Sequence, residues 1–219
     1  VDRYFHAELN TLRTHLTQMG SLAVEAVETA LRSLLENDLE LAERVIQNDP
    51  KIDELEVAID FEATRYLTLR APVASDLRIL TVAIKASHDF ERVGDEAKKV
   101  AKKTRRILNR KGSHNEFYNF EKMGNQVADM IRRALECFVE EDVEGAKQIL
   151  RDDEEIDAFD KANLRALVAA TKDSPEDTET FLDLVFISKA LERIADHATN
   201  LAEEIIYYKT AKDARLRDA

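Results

Sequence analysis

Apolar positions recur at intervals of three and four residues through almost the whole chain, and no stretch shows the strict alternation of a strand. Leu9, Leu12, Leu16, Met19, Ala23, Ala26, Ala30 and Leu34 form one stripe, which predicts a first helix from about Asp2 to Leu35. Asn37 and Asp38 read as caps for a second helix that runs to about Leu69. It should bend near Asp49-Pro50, because Pro50 has no backbone donor. Arg70-Ala71-Pro72 reads as a turn into a third helix, from about Ala74 to Arg110, and Gly112 with Ser113-His114-Asn115 marks a boundary. Three more helices follow: about Phe117 to Glu140, from Asp142 to near Thr171, and a last one to about Lys209 with a frayed tail. Ser174-Pro175-Glu176-Asp177 reads as an N-cap serine, an N1 proline and an acidic first turn.

The second trio repeats the first. Asp38, Asp49, Ile52, Asp53 and Leu55 match Asp142, Asp153, Ile156, Asp157 and Phe159 at an offset of 104, and Glu91, Arg92 and Asp95 match Glu192, Arg193 and Asp196 at an offset of 101. The expected architecture is all-α: two tandem three-helix bundles, six long antiparallel helices related by internal duplication, spanning residues 1–112 and 113–219.

Composition adds limits. Of 219 residues, 35% are charged and only 5 are Gly and 3 Pro, which suits long helices. No apolar run approaches the roughly 20 residues of a membrane span, and no leader-like segment is visible in a chain that begins at Val1. The single cysteine, Cys137, leaves no internal disulfide, fits a reducing compartment and reads as a core thiol. Net charge is −12; residues 1–112 carry 18 basic and 19 acidic side chains, and residues 113–219 carry 14 and 25. An acidic surface argues against nucleic-acid binding. The run Lys98, Lys99, Lys102, Lys103, Arg105, Arg106, Arg110 and Lys111 reads first as a solvated helix end that complements the dipole, and second as a docking patch for an acidic partner or lipid surface.

The candidate chemistry lies in four acidic pairs: Asp49 with Asp53, Glu91 with Asp95, Asp153 with Asp157, and Glu192 with Asp196. Residues four apart share a helix face, where unpaired like charges cost about 0.2–0.5 kcal/mol per pair. Asp49 lies 23 residues before Pro72 and Asp95 lies 23 after it; Asp53 and Glu91 lie 19 before and after. Folding the two helices back at that turn brings all four carboxylates to matching heights. In the second half Asp153 and Asp196 lie 21 and 22 residues from Ser174, and Asp157 and Glu192 lie 17 and 18. Two cages of hard oxygen ligands result, suited to magnesium, calcium, manganese or iron, with zinc also open. The bland alternatives are solvated acids neutralised by Arg92 and Arg193, and Asp49 as a simple N-cap before Pro50. His88, three residues before Glu91, is read as a polar neighbour rather than a ligand.

A carboxylate-bridged metal oxidase is the competing enzyme class, and a metal-free helical scaffold is the third reading. The chain contains no Glu-x-x-His, the signature of di-iron bundles, and no nucleotide loop, nucleophile elbow or zinc-protease motif. No catalytic residue is assigned, and the ions read as structural or regulatory.

At these residues the chain resembles the PhoU family of phosphate-transport regulators. The resemblance covers nearly the whole length and is carried by Arg70-Ala71-Pro72-Val73-Ala74-Ser75-Asp76-Leu77-Arg78, Glu91-Arg92-Val93-Gly94-Asp95, Glu192-Arg193-Ile194-Ala195-Asp196 and His197-Ala198-Thr199-Asn200-Leu201-Ala202-Glu203. It implies a cytoplasmic, non-enzymatic negative regulator, a homodimer or small oligomer, whose acidic motifs hold multinuclear iron or zinc clusters. It also implies contacts with the ATPase subunit of the phosphate ABC transporter and with the phosphate-sensing histidine kinase, so that the membrane is reached only through partners. The chain departs from the family pattern at Ala71, where glutamine is common, at Ala195, where glycine is common, and at Lys99, where Asn200 is the match in the second repeat. A cation at Lys99 would weaken the first site, so the second is the stronger expectation.

Overall fold

A computed structural model describes residues 2–70, 74–110 and 120–211. Within them the chain forms α1 (Asp2–Leu35), α2 (Leu39–Asn48), α3 (Pro50–Arg70), α4 (Ala74–Leu108), α5 (Phe120–Glu140), α6 (Val143–Asp173) and α7 (Thr178–Thr210). The turn expected at Pro72, the boundary at Gly112–Asn115, the helix start at Phe117 and the C-terminal tail lie outside the described residues.

Local chemistry accounts for the boundaries. Asp38 and Asp142 cap α2 and α6 in the same way: each carboxylate accepts two backbone N–H groups, from Glu40 and Leu41 and from Glu144 and Gly145. The turns before these caps place Asn37 and Glu141 at φ 55° and 59°. Asp49 is itself helical (φ −51°, ψ −42°), so α2 runs into α3 with a bend at Pro50 and Asp49 is not an N-cap. Ser174 differs from expectation. Its side chain makes no capping bond, and a short 3-10 turn, Pro175–Asp177, leads into α7. The Asp177 N–H goes to the Ser174 backbone carbonyl at 3.1 Å instead.

The predicted α1 stripe is the core face: Leu12, Leu16, Met19, Ala23, Ala30 and Leu34 are buried, and Leu9 and Ala26 lie at its edge. Fully burying a Leu or Met contributes roughly 1.5–3 kcal/mol. One hydrophobic cluster runs through both halves, joined by Phe90 and Val93 of α4, Met123 and Ile131 of α5, and Leu191 and Ile194 of α7. α4 and α7 pack antiparallel along most of their lengths. Their seam carries Lys85–Glu204 at 2.8 Å, Asp89–Asn200 at 3.2 Å, Glu96–Arg193 at 3.5 Å and Arg110–Glu179 at 3.2 Å. Cys137 lies in the core with its thiol pushed up by burial and then by Asp142, as expected of an inert thiol.

Candidate metal centres

In the first half, α3 and α4 bring the two acidic motifs together. Asp49 is only 4% exposed and its carboxylate takes a short hydrogen bond from Lys98 Nζ. That ammonium also lies 4.0 Å from Asp95 Oδ1, so the two aspartates expected at one height share one cation. The Asp53 carboxyl is raised by desolvation and by the Asp49 charge, with Lys98 opposing. One turn further along, Glu56, His88 and Glu91 place ligand atoms within 4.8 Å of one another. His88 Nδ1 is 3.3 Å from Glu56 Oε1. Desolvation raises the Glu91 carboxyl, Arg92 lowers it, and Asp95 and Glu56 raise it further. Glu91 Oε2 is buried without a hydrogen-bond partner; Arg92 Nε stands 3.3 Å away as an ion pair only.

The second half builds the same seam from α6 and α7. Burial raises the Asp153 carboxyl, and Asp157 and Glu192 add to it. The Asp196 carboxyl is pushed up to about 6 by desolvation, then by Glu192 and Asp153. Lys189 Nζ donates to Glu192 Oε1 at 2.6 Å and lies 4.0 Å from Asp160 Oδ2, while Lys161 pairs with Asp157 at 2.9 Å. Glu192 Oε2, like Glu91 Oε2, is buried without a hydrogen-bond partner. Asp160 is oriented from behind: Ser188 Oγ donates to its Oδ1 at 2.8 Å, and Asn163 Nδ2 donates to Ser188 at 3.3 Å.

Of the eight predicted carboxylates, Asp49, Asp53 and Asp95 lie around Lys98, and Glu91 stands instead with Glu56 and His88; in the second half Asp153, Glu192 and Asp196 act on one another, while Asp157 pairs with Lys161 of its own helix. Four neighbours were missed by sequence reasoning: Glu56, Asp160, Lys98 and Lys189. Glu56 and Asp160 sit at the same 104-residue offset as the aspartate pairs, a signal that was there to be used. The cation in the first cluster is Lys98, not Lys99, which turns aside to Glu96 at 2.8 Å. Most of the basic run is paired with carboxylates of the same chain. Lys103, Arg106 and Arg110 converge on buried Asp183 of α7 at 2.9, 3.5 and 2.8 Å, and Arg105 holds Glu43 at 3.1 Å. Lys99, Lys102 and Arg106 remain exposed, and Lys111 lies outside the described residues.

The donor sets fit a hard cation. Burial first, and neighbouring carboxylates after it, raise these carboxyls, and each cluster holds one buried glutamate oxygen without a hydrogen bond. A bound ion would supply positive charge there without needing a donor hydrogen.

A duplicated helical bundle with a carboxylate seam in each repeat is the class these features define. The PhoU domain model matches residues 16–104 and 120–205, one stretch on each side of the midpoint. The chain is 36% identical over 215 residues to the phosphate-specific transport system accessory protein PhoU homolog of Pseudomonas putida, covering 98% of this chain and 84% of that one. It is 30% identical over 213 residues to the PhoU accessory protein of Escherichia coli, covering 96% and 87%. The crystal structure of PhoU from Pseudomonas aeruginosa superposes with a TM-score of 0.92 at 36% identity, covering 95% of this chain and 100% of that one. That of the phosphate transport system regulatory protein PhoU from Streptococcus pneumoniae gives 0.86 at 28% identity, covering 96% and 99%. The chain belongs to the PhoU family, whose members here are accessory proteins of phosphate transport. Among the described residues no helix is long and apolar enough to cross a membrane.

Proposed function

We propose that this protein is a non-enzymatic adaptor in the cytoplasm that restrains phosphate uptake and phosphate-starvation signalling. It acts as a homodimer on the ATPase subunit of the phosphate ABC transporter and on the phosphate-sensing histidine kinase. The halves 1–112 and 113–219 serve as two repeats of one adaptor. Divalent or trivalent ions (iron, zinc, manganese or magnesium) are held by Asp49, Asp53, Glu91 and Asp95 in the first repeat and by Asp153, Asp157, Glu192 and Asp196 in the second. When bound, such an ion neutralises the like charges and fixes the α3–α4 and α6–α7 seams.

The observation that carries the metal part is the pair Glu91 and Glu192, at the same position of two repeats. Each keeps a buried carboxylate oxygen without a hydrogen bond among other carboxylates. Family membership supports the phosphate part. Deleting the protein should raise phosphate uptake in phosphate-replete cells and derepress starvation genes. Uptake and expression that match the parent strain would contradict the reading.

A further inference from the structure

The second repeat exposes an apolar quartet that the first lacks. Leu164 and Val168 of α6 and Leu182 and Phe186 of α7 are 45% to 53% exposed. The matching positions of the first repeat are Asp60, Thr64, Thr81 and Lys85, all polar. The Ser188–Asp160 hydrogen bond sets the register of the two antiparallel helices. Toward the hairpin turn, Leu164 and Val168 lie four and eight residues beyond Asp160, and Phe186 and Leu182 lie two and six beyond Ser188. With a rise of about 1.5 Å per residue, each α6 side chain stands within about 3 Å of the height of its α7 neighbour. Packed helices lie about 8–10 Å apart, so the two pairs form one shallow apolar face. Exposed apolar groups gathered in one place mark a contact surface, where scattered ones do not.

Cations frame that face. Along α6, Lys161, Leu164, Val168 and Lys172 follow one stripe, with exposed Arg165 beside it. Along α7, Leu182, Phe186, Lys189 and Arg193 follow another. On α4, Lys103 Nζ stands 4.3 Å from the centre of the Phe186 ring. The acidic groups nearby are already engaged: Asp183 by the α4 cations, Glu179 by Arg110, Glu192 by Lys189 and Asp160 by Ser188. Arg165 and Lys172 are in no ion pair among the described residues.

We propose that this face docks an acidic amphipathic helix of a partner protein. The apolar side of that helix meets the quartet, and its glutamates or aspartates meet the cations at the rim. A lipid surface fits less well, because Phe186 lies against the Lys103 ammonium instead of standing clear as a membrane anchor does. The proposal rests on the adaptor reading above for its biological setting, is independent of cation binding, and assigns partner capture to the second repeat.

Two measurements on the full chain test it. The first is fluorescence anisotropy with a designed helical peptide that carries leucines at i, i+4 and i+7 among glutamates. Saturable binding is expected. It should weaken by about ten-fold or more in Leu182→Ser with Phe186→Ser, and by several-fold in Arg165→Glu with Lys172→Glu. It should not change in Val57→Ser with Phe61→Ser, a more exposed apolar pair on α3. A twin peptide with lysine for glutamate should not compete, and circular dichroism should show each variant folded. The second is expression of phosphate-starvation genes: Leu182→Ser with Phe186→Ser, present at the parental level, should derepress them as deletion does. No binding of the acidic peptide, equal binding of its lysine twin, or full restraint of the genes by that variant would overturn the inference. Without peptide binding, loss in the variant of binding to phosphatidylglycerol vesicles, or of self-association, would overturn it in favour of a lipid or a second copy. A deletion without effect contradicts the adaptor reading, and peptide binding then decides the docking inference alone.

Discussion

His197 Nδ1 on α7 lies 2.9 Å from Asp89 Oδ1 on α4. The residue that follows Asp196 is thereby bonded to a carboxylate two positions before Glu91. Asn200 Nδ2 donates to the same oxygen at 3.2 Å, and Arg193, which follows Glu192, reaches Glu96, which follows Asp95. The helices that carry the two acidic clusters are thus bonded to each other through the immediate neighbours of the cluster residues. The placement of each cluster depends on the α4–α7 seam.

Asp89→Ala removes the shared acceptor and leaves two donors on α7 without it. Asp89 is 9% exposed, so the loss should cost about 1–3 kcal/mol. Tm should fall by about 2–4 °C per kcal/mol for a chain of this size. Thermal denaturation by circular dichroism checks this, and an unchanged Tm would show that the seam does not depend on Asp89.

Asp183→Ala should be more damaging. Its carboxylate is 2% exposed and faces Lys103, Arg106 and Arg110, three cations that lose their common partner. The three cations left behind stay 22–56% exposed, so losing these charge-assisted contacts should cost about 1.5–3 kcal/mol. Asp183→Asn, which keeps the shape, should fall between wild type and the alanine variant in urea denaturation.

Asp196 gives the fold a pH dependence of defined sign. Its folded carboxyl sits near 6 against an ordinary value of 3.8, so the folded state holds its proton more tightly than the unfolded chain does. Stability from this group therefore rises as pH falls through about 6 and levels off below about 4. At pH 7.5 the metal-free Asp196→Asn variant should be the more stable, by about 1 kcal/mol or less because the side chain is open to solvent. That advantage should vanish near pH 4. A variant less stable than wild type at pH 7.5, or a difference independent of pH, would refute the assignment. Added divalent ion should reverse the order, stabilising wild type but not the variant.

Gly124→Ala probes the packing between halves. A Cβ there would stand 2.3 Å from Leu31 Cδ1 and 3.0 Å from Leu31 Cγ, so the whole leucine end must shift within a filled core. Overpacking of about 1–3 kcal/mol should outweigh the gain in helix propensity of about 1 kcal/mol. A lowered Tm is the expected result, and a raised one would mean that α1 and α5 have slack between them.

Much of this was legible in the sequence because long helices follow simple periodicities. The α1 stripe, the Asp38 and Asp142 caps and the duplication all appear in the structure where the pattern places them. Counting residues on either side of Pro72 brought Asp49 level with Asp95, and the structure joins them through Lys98. The choice of cation was not legible by alignment alone. Lys99 matched Asn200 and drew attention, but it is Lys98, three residues past Asp95 and on its face, that reaches the cluster. Glu56 and Asp160 were overlooked because they lie three, not four, residues from Asp53 and Asp157. The fate of the basic run depended on Asp183, on a helix about 80 residues away, which no local pattern foretells.

The central claim is that each repeat's carboxylate seam holds a cation. A crystal structure of the protein loaded with Zn(II) or iron(II), with anomalous scattering recorded at the metal edge, tests it most directly. One peak or more per repeat is expected, among Asp49, Asp53, Glu91 and Asp95 on one side and among Asp153, Asp157, Glu192 and Asp196 on the other. Density free of anomalous signal at both seams, or peaks confined to unrelated surface positions, would contradict it.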